Sequence, residues 1–182
     1  MQIKHDQISS PNIPSALKPS LELLTRLSTS LRTANVNLLH AVTPAEANER
    51  FASAHDPSKP SDTALDLIYA PQKPLARDAP DNTHTDGGSM TILCSDSWGI
   101  KLEDPRTKQW GFVEPRPGTG LVNVADWLDK ASKGGDGSAD AAEQGRGVHS
   151  CRHAVSQPRD GEGGRYYVVS YLRPSHEVLG KA

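Results

Sequence analysis

The last two thirds of the chain is a series of short β-prone segments separated by Gly and Pro turns. Seven segments read as strands: Thr63–Pro71, Ser89–Ser95, Gly99–Asp104, Gln109–Pro115, Gly120–Val124, Cys151–Gln157 and Arg165–Leu172. No helical pattern of crossover length separates them, so the segments do not form βαβ units. The sequence therefore predicts a mainly β fold in which antiparallel strands form a sandwich, jelly roll or barrel.

Helical patterns precede the strands. Leucines at positions 17, 21, 24, 27 and 31 form one apolar stripe, which predicts an amphipathic helix beginning after Ser20. A second, shorter helix is predicted from Thr43–Pro44 to about His55. We expect residues 1–62 to form a helical segment that packs on a β domain at 63–174. The domain contains a long Gly-rich loop at 132–147, and a tail follows at 175–182.

Composition and charge narrow the function classes. The chain has 182 residues, which suits one domain, and 20 basic against 22 acidic residues give a net charge of −2. With its basic residues scattered, the sequence does not favour binding to nucleic acid or to an anionic membrane. No apolar run reaches the length of a membrane span or a signal peptide. We expect a cytoplasmic protein that is a monomer or a weak oligomer.

The two cysteines, Cys94 and Cys151, are too few for a disulfide framework, and no CxxC motif is present. Two reduced, buried thiols are favoured over one disulfide.

The sharpest local motif is His84-Thr85-Asp86. In a strand, side chains at i and i+2 leave the same face, so the imidazole and the carboxylate would point to one place. Such a pair can fill two adjacent positions on a metal ion. An exposed pair in the turn before Gly87-Gly88 is the competing interpretation.

A second cluster lies at residues 149–153, where His149, Cys151 and His153 share a face at strand spacing. One of them could complete a two-His, one-carboxylate facial triad with His84 and Asp86, as in non-haem Fe(II) oxygenases. The three alone would instead suit zinc. Spacing leaves both interpretations open, together with a buried structural histidine.

Arg165 and Tyr167 form a third pair at i and i+2. Arg165 offers a fork of N–H donors for a carboxylate, and Tyr167 adds a hydroxyl donor. The alternative is a surface arginine on an edge strand.

In this order, the motifs resemble those of the isopenicillin-N-synthase-like group of Fe(II)/2-oxoglutarate-dependent dioxygenases, especially its fungal members. The resemblance rests on HTDGGSM at 84–90, CRHAV at 151–155 and RYYVVSYLRP at 165–174, and covers roughly residues 63–174. The family pattern is HxD, a distal His, an Arg about ten residues later, and a bulky apolar strand that ends in Pro.

This resemblance implies a double-stranded β-helix, or jelly roll, that holds iron between its two sheets. His84, Asp86 and His153 match the iron ligands. Arg165 matches the residue that binds the distal carboxylate of 2-oxoglutarate, and Tyr167 stands where many relatives have Ser.

Other matches to the family pattern are looser. Family members usually have a Tyr at the position occupied here by Ala70. Tyr69 is one position away and is therefore a candidate cofactor-binding residue. His149 and Cys151 match no ligand position, so the resemblance leaves them out of the site.

The implied activity is oxidation of a small organic molecule, by hydroxylation, desaturation or cyclisation, with Fe(II), 2-oxoglutarate and O₂. Fungal relatives suggest specialised metabolism. The sequence starts almost at the helix that family members place after a substantial N-terminal region. Two alternatives remain: an Fe(II) oxidase that does not use 2-oxoglutarate, and a shortened, non-catalytic β domain that binds a metal or a partner protein.

Overall fold

A computed structural model describes residues 1–8, 13–71, 82–133, 148–156 and 163–180 of the chain. In chain order its elements are β1 (Gln2–Lys4), α1 (Leu21–Val42), α2 (Asn48–Ala54), β2 (Ala64–Ala70), β3 (Met90–Cys94), β4 (Ile100–Glu103), β5 (Trp110–Phe112), β6 (Leu121–Val124), α3 (Asp126–Ser132), β7 (His153–Val155) and β8 (Arg165–Leu172). The loop predicted at 132–147 lies outside the described residues, apart from positions 132 and 133.

The strands form two antiparallel sheets. The larger has the order β1-β2-β8-β3-β6, and the smaller has the order β5-β4-β7. Apolar side chains fill the space between the sheets, with Ile100 of the small sheet packed against Tyr167 and Val169 of the large one. This arrangement confirms the predicted mainly β, antiparallel fold. Each strand turns alternate side chains toward this interior, because the strand repeat is two residues.

The helices cover the other face of the large sheet. Leu39 of α1, Phe51 of α2 and Leu128 of α3 form one buried cluster with Met90 and Leu172. A polar contact joins the same layers, since Asn35 donates to the Ser170 hydroxyl at 3.2 Å. Removing these apolar side chains from water stabilises the packing of the helices on the sheet.

The residues after β8 are anchored on the helical layer. The backbone N–H of Ser175 donates to the Ala54 carbonyl, and that of His176 donates to the Pro60 carbonyl, each at 2.8 Å. Ser175 itself is buried. Within the described part of the chain, no helix combines the length and apolarity needed to cross a membrane.

Both cysteines are free thiols and half-buried. Burial raises the pKa of Cys94 and also that of Cys151. Both thiols are thus less buried than the sequence predicts, and their reduced state stays a prediction.

Candidate metal centre

Backbone pairing brings the two candidate histidine ligands together. His84 and His153 form an isolated antiparallel bridge, with N–H to carbonyl distances of 3.0 Å from His84 and 2.9 Å from His153. His153 also begins β7, so His84 continues the small sheet beyond its β7 edge. Because directly paired residues project side chains to the same face, the two imidazoles lie side by side, with ring centroids 4.4 Å apart.

Asp86 completes a group of three ligand atoms. Its Oδ1 lies 3.7 Å from His84 Nε2 and 3.6 Å from His153 Nε2. One ligand atom from each of the three residues falls within 4.8 Å of the others, and no other such group of His, Cys, Asp or Glu occurs among the described residues. The Asp86 and His153 side chains are 10% and 12% exposed, whereas His84 is 50% exposed. One side of the group is therefore open to an incoming molecule.

Hydrogen bonds to carbonyl groups fix the orientation of both imidazoles. His84 Nδ1 lies 2.7 Å from the Asn82 carbonyl oxygen, and His153 Nδ1 lies 3.1 Å from the Cys151 carbonyl oxygen. A carbonyl only accepts, so each Nδ1 carries the proton and each Nε2 keeps its lone pair for a cation shared with Asp86. Two neutral imidazoles and one carboxylate are a donor set that suits Fe(II), and the residues therefore fit the implied metal.

Asn123 on β6 holds one of the three ligands and lies beside a second. Its side-chain amide donates to Asp86 Oδ2 at 3.2 Å and lies 3.4 Å from His153 Nδ1. The contact leaves Asp86 Oδ1 facing the two histidines. Asn123 thus holds the carboxylate in the orientation that a metal needs.

Helix α3 holds the HxD turn through its first residues. The backbone N–H of Asp126 donates to the Asp86 carbonyl at 2.9 Å, and that of Trp127 donates to the Gly88 carbonyl at 2.8 Å. Thr85 donates its hydroxyl to the Asp126 carboxylate at 3.0 Å. Gly88 has a φ of +97°, and a Cβ there would lie 2.8 Å from Arg173 Cγ and 3.0 Å from the Leu172 carbonyl oxygen. Only glycine fits this close approach.

The same helix holds the segment that leads to His153. Asp129 accepts from the backbone N–H of Ser150 at 2.9 Å and pairs with Lys133. Burial favours a higher pKa for Asp129, but the hydrogen bonds from Lys133 and Ser150 outweigh it, and the net effect lowers that pKa.

The other residues of the second cluster lie away from the ligands. His149 Nδ1 is 3.4 Å from Asp129 Oδ2, and the Cys151 thiol donates to the Glu103 carbonyl at 3.3 Å. Neither joins the three-ligand group, so the zinc arrangement of His149, Cys151 and His153 is not assembled among the described residues.

Arg165 and Tyr167 lie on the interior face of β8. They are 1% and 2% exposed, and Tyr167 packs against Ile100 and Val169 between the sheets. A Cβ at Gly99 would collide with the Tyr167 hydroxyl, so the tyrosine ring reaches across to the small sheet. Arg165 is therefore a buried cation of the interior, in contrast to the alternative of a surface arginine.

The structure does not bring Tyr69 to this interior. Tyr69 pairs with Tyr166 and stacks on it at 4.9 Å, and the two residues are 55% and 69% exposed on the opposite face of the sheet. Its neighbour Ala70 pairs with Arg165 and shares the interior face. A displacement of one residue along a strand reverses the face, which is why the near match at Tyr69 fails to reach the site.

Sequence reasoning missed Tyr171. It lies on the same face of β8 as Arg165, at a spacing of six residues. Burial raises the pKa of Tyr171 to about 12, with further contributions from the nearby negative charges of Asp86 and Asp66. Extending the period-two pattern from Arg165 along the strand would have found it.

Comparison with known proteins finds that the chain is similar to 2-oxoglutarate-dependent dioxygenases. No protein-family model matches the chain. It is 35% identical to the 2-oxoglutarate-dependent dioxygenase iboH of Amanita muscaria over 71% of the chain and 59% of that protein. It is 29% identical to the 2-oxoglutarate-dependent dioxygenase ecdG of Aspergillus rugulosus over 92% of the chain and 48% of that protein. The chain thus spans about half the length of these curated relatives.

Solved structures agree on the fold. A full-length Neurospora crassa protein, crystallised in complex with alpha-KG, matches 96% of the chain and 54% of its own with a TM-score of 0.70 and 22% identity. JOX2, crystallised with 2OG, Fe and JA, matches 91% of the chain and 46% of its own with a TM-score of 0.68 and 19% identity. These likenesses confirm the predicted jelly-roll fold class.

Proposed function

Because this chain belongs to the 2-oxoglutarate-dependent dioxygenase family, we propose that it takes part in the Fe(II)- and 2-oxoglutarate-dependent oxidation of a small organic molecule. The observation that carries the proposal is the convergence of His84, Asp86 and His153, whose ligand atoms lie within 4.8 Å of one another. The fungal origin of the named relatives supports a role in fungal specialised metabolism, which stays a prediction, as do the cytoplasmic location and the monomeric or weakly oligomeric state.

The three converging side chains would hold the metal. His84 and His153 offer Nε2 lone pairs because their Nδ1–H groups are bonded to carbonyls, and Asp86 offers Oδ1 because Asn123 holds Oδ2. When bound with 2-oxoglutarate and O₂, Fe(II) supplies the oxidising chemistry for hydroxylation, desaturation or cyclisation. The chain's own contribution is to fix ligand geometry and leave the His84 side open.

Arg165 would bind the co-substrate. The residue is 1% exposed and faces the interior, where a pairing with the distal carboxylate of 2-oxoglutarate is strong because little water competes. The Tyr167 hydroxyl lies on the same interior face and is a second candidate donor.

Apolar side chains separate the two polar ends of this interior. Leu93, Val169 and Leu121 are adjacent across β3, β8 and β6, between the row that contains Asn123 and the residues Tyr167 and Arg165. They would exclude water around the carbon chain of the co-substrate and orient its two ends. A substitution among the metal ligands and a substitution of Arg165 should therefore affect different steps of binding.

One observation favours a second candidate, an Fe(II) oxidase that does not use 2-oxoglutarate. Tyr167 occupies interior space where many members of the resembled family have a smaller Ser, and its ring packs against Ile100 and Val169. In such an oxidase Arg165 would bind a carboxylate of the substrate instead.

The deciding experiment is an anaerobic titration of the purified chain with Fe(II) and then with 2-oxoglutarate, monitored by visible absorption. We expect a metal-to-ligand charge-transfer band that His153→Ala abolishes and that the surface control Glu22→Gln retains. Fe(II) binding without a band would favour the second candidate. No Fe(II) binding by the folded chain would contradict both and leave the non-catalytic domain.

A further inference from the structure

The interior face of the large sheet carries a row of polar side chains beside the metal ligands. Cross-strand pairing places Asn123 of β6 opposite Thr91 of β3, and Thr91 opposite Tyr171 of β8. We call these three residues the polar row. Its first member contacts both Asp86 and His153, so the row begins at the candidate metal centre.

Thr91, the middle residue of the polar row, is buried with a polar group that forms no hydrogen bond within the described part of the chain. Thr91 is 3% exposed, and its hydroxyl has no hydrogen-bond partner among the described residues. Leaving a buried polar group unpaired is unfavourable, and most buried hydroxyl groups in proteins have a hydrogen-bond partner. Neighbouring polar atoms of a bound molecule would satisfy it.

Asp66 adds a negative charge beside the polar row. It pairs with Val169, the interior neighbour of Tyr171 on β8, and therefore faces the same interior. Gln2 makes a long contact of 3.4 Å to its Oδ2, while Oδ1 is covered and has no partner within the described residues. A partly buried carboxylate with so little compensation favours a cation or a strong donor at Oδ1.

The nearby basic side chains are engaged elsewhere. Lys4 binds the Asp62 carboxylate at 2.9 Å. Arg173 donates to the Asp62 backbone carbonyl at 2.6 Å, and its guanidinium lies 4.7 Å from the ring centre of Tyr171. Across the described ranges, no ion pair is formed by Asp66. The charge that compensates Asp66 would therefore come from the bound molecule.

We propose that Asp66, Thr91 and Tyr171 form a substrate subsite for a protonated amine, in which Asp66 pairs with the nitrogen and the two hydroxyls bond to neighbouring polar atoms of the same molecule. The subsite rests on the proposed function, since it names the class of substrate presented to the same metal centre. A primary or secondary amine of a small metabolite meets this description, because it carries a positive charge and several N–H donors.

The test compares two probes of similar shape, benzylamine and benzyl alcohol, by saturation-transfer NMR titration at neutral pH. The unaltered chain should bind benzylamine roughly tenfold more tightly, as a charge-assisted hydrogen bond of about 1.4 kcal/mol implies. Asp66→Asn keeps the shape and removes the charge, so it should abolish the preference. Glu22→Gln removes a charge at an exposed position of α1 and should leave the preference intact.

Further readouts separate this subsite from the proposed function. Tyr171→Phe should weaken binding of 2-amino-2-phenylethanol, whose hydroxyl neighbours its amine, and should leave benzylamine affinity unchanged, which keeps the hydroxyl role testable if Asp66→Asn fails to fold. Equal affinity of the unaltered chain for the two probes, or a preference that survives in folded Asp66→Asn, would overturn the subsite. If the unaltered chain shows no Fe(II)/2-oxoglutarate band but still prefers benzylamine, the proposed function is refuted and the amine preference is not.

Discussion

His55 is a buried histidine that should make the fold sensitive to acid. It is 4% exposed, its Nδ1–H donates to the Phe51 carbonyl at 2.7 Å, and its Nε2 accepts from the Ser89 hydroxyl at 2.7 Å. Ser89 lies three residues after Asp86 and is itself fully buried. The neutral imidazole therefore joins α2 to the end of the HxD turn.

Burial lowers the pKa of His55 from the ordinary 6.5 to about 4, helped by the positive charge of Arg32 and opposed by the hydrogen bond to Phe51. The unfolded chain takes up the proton near pH 6.5, whereas the folded chain takes it up only near pH 4. The stability that the neutral His55 contributes is therefore fully present above pH 6.5 and is lost as the pH falls toward 4. At 1.36 kcal/mol for each pH unit between the two pKa values, the loss is about 3 kcal/mol.

The assay is urea unfolding at several pH values from neutral to about 4, on the unaltered chain, His55→Gln and Ser89→Ala. Glutamine does not ionise. In His55→Gln the acid-induced decrease in unfolding free energy should therefore be about 3 kcal/mol smaller than in the unaltered chain. Ser89→Ala should be about 1–3 kcal/mol less stable at neutral pH, because it leaves Nε2 without a donor, yet it should keep the acid-induced decrease. If His55→Gln and the unaltered chain lose stability in parallel as the pH falls, the reasoning is refuted.

The remaining predictions concern the metal centre. His153→Ala should lower Fe(II) affinity by at least roughly tenfold, measured by anaerobic titration, because the two remaining ligands cannot replace the missing one; unchanged affinity would contradict the ligand assignment. Gly88→Ala should lower the melting temperature, since the residue has a φ of +97° and no room for a Cβ; an unchanged melting temperature would show that the turn relaxes freely. Asn123→Leu should weaken metal binding about tenfold while far-ultraviolet circular dichroism stays the same, because the Asp86 carboxylate loses its donor; equal affinity would limit Asn123 to packing.

Much of the β architecture could be predicted from alternation and turn residues. The seven predicted segments each contain a strand, although the ends differ by a few residues. Two elements were missed. Strand β1 has only three residues, and its pairing partner β2 is more than fifty residues away, so no local pattern reveals it. Helix α3 has seven residues, too few for a periodic stripe, and is stabilised by its contacts with the HxD turn.

The candidate site shows where sequence spacing stops being informative. His84 and Asp86 are close in sequence, but their approach to His153 depends on a backbone bridge between distant segments. Spacing alone could not choose between His149, Cys151 and His153; the family resemblance selected His153, and the structure brings His153 to the other two. Tyr69 illustrates the opposite limit, since a shift of one residue along β2 moves a side chain to the other face of the sheet.

Helix α3 couples the two halves of the metal centre, because its first residues bond to the Asp86–Gly88 turn and Asp129 bonds to the approach to His153. Metal binding and the hydrogen bonds that α3 makes to these two segments are therefore thermodynamically linked: each favours the other by the same free energy. Loading the ion should slow hydrogen exchange at the amides of Asp126 and Trp127. A molecule that binds the outer side of α3 and stabilises these hydrogen bonds would raise the metal affinity without contacting any of the three ligands.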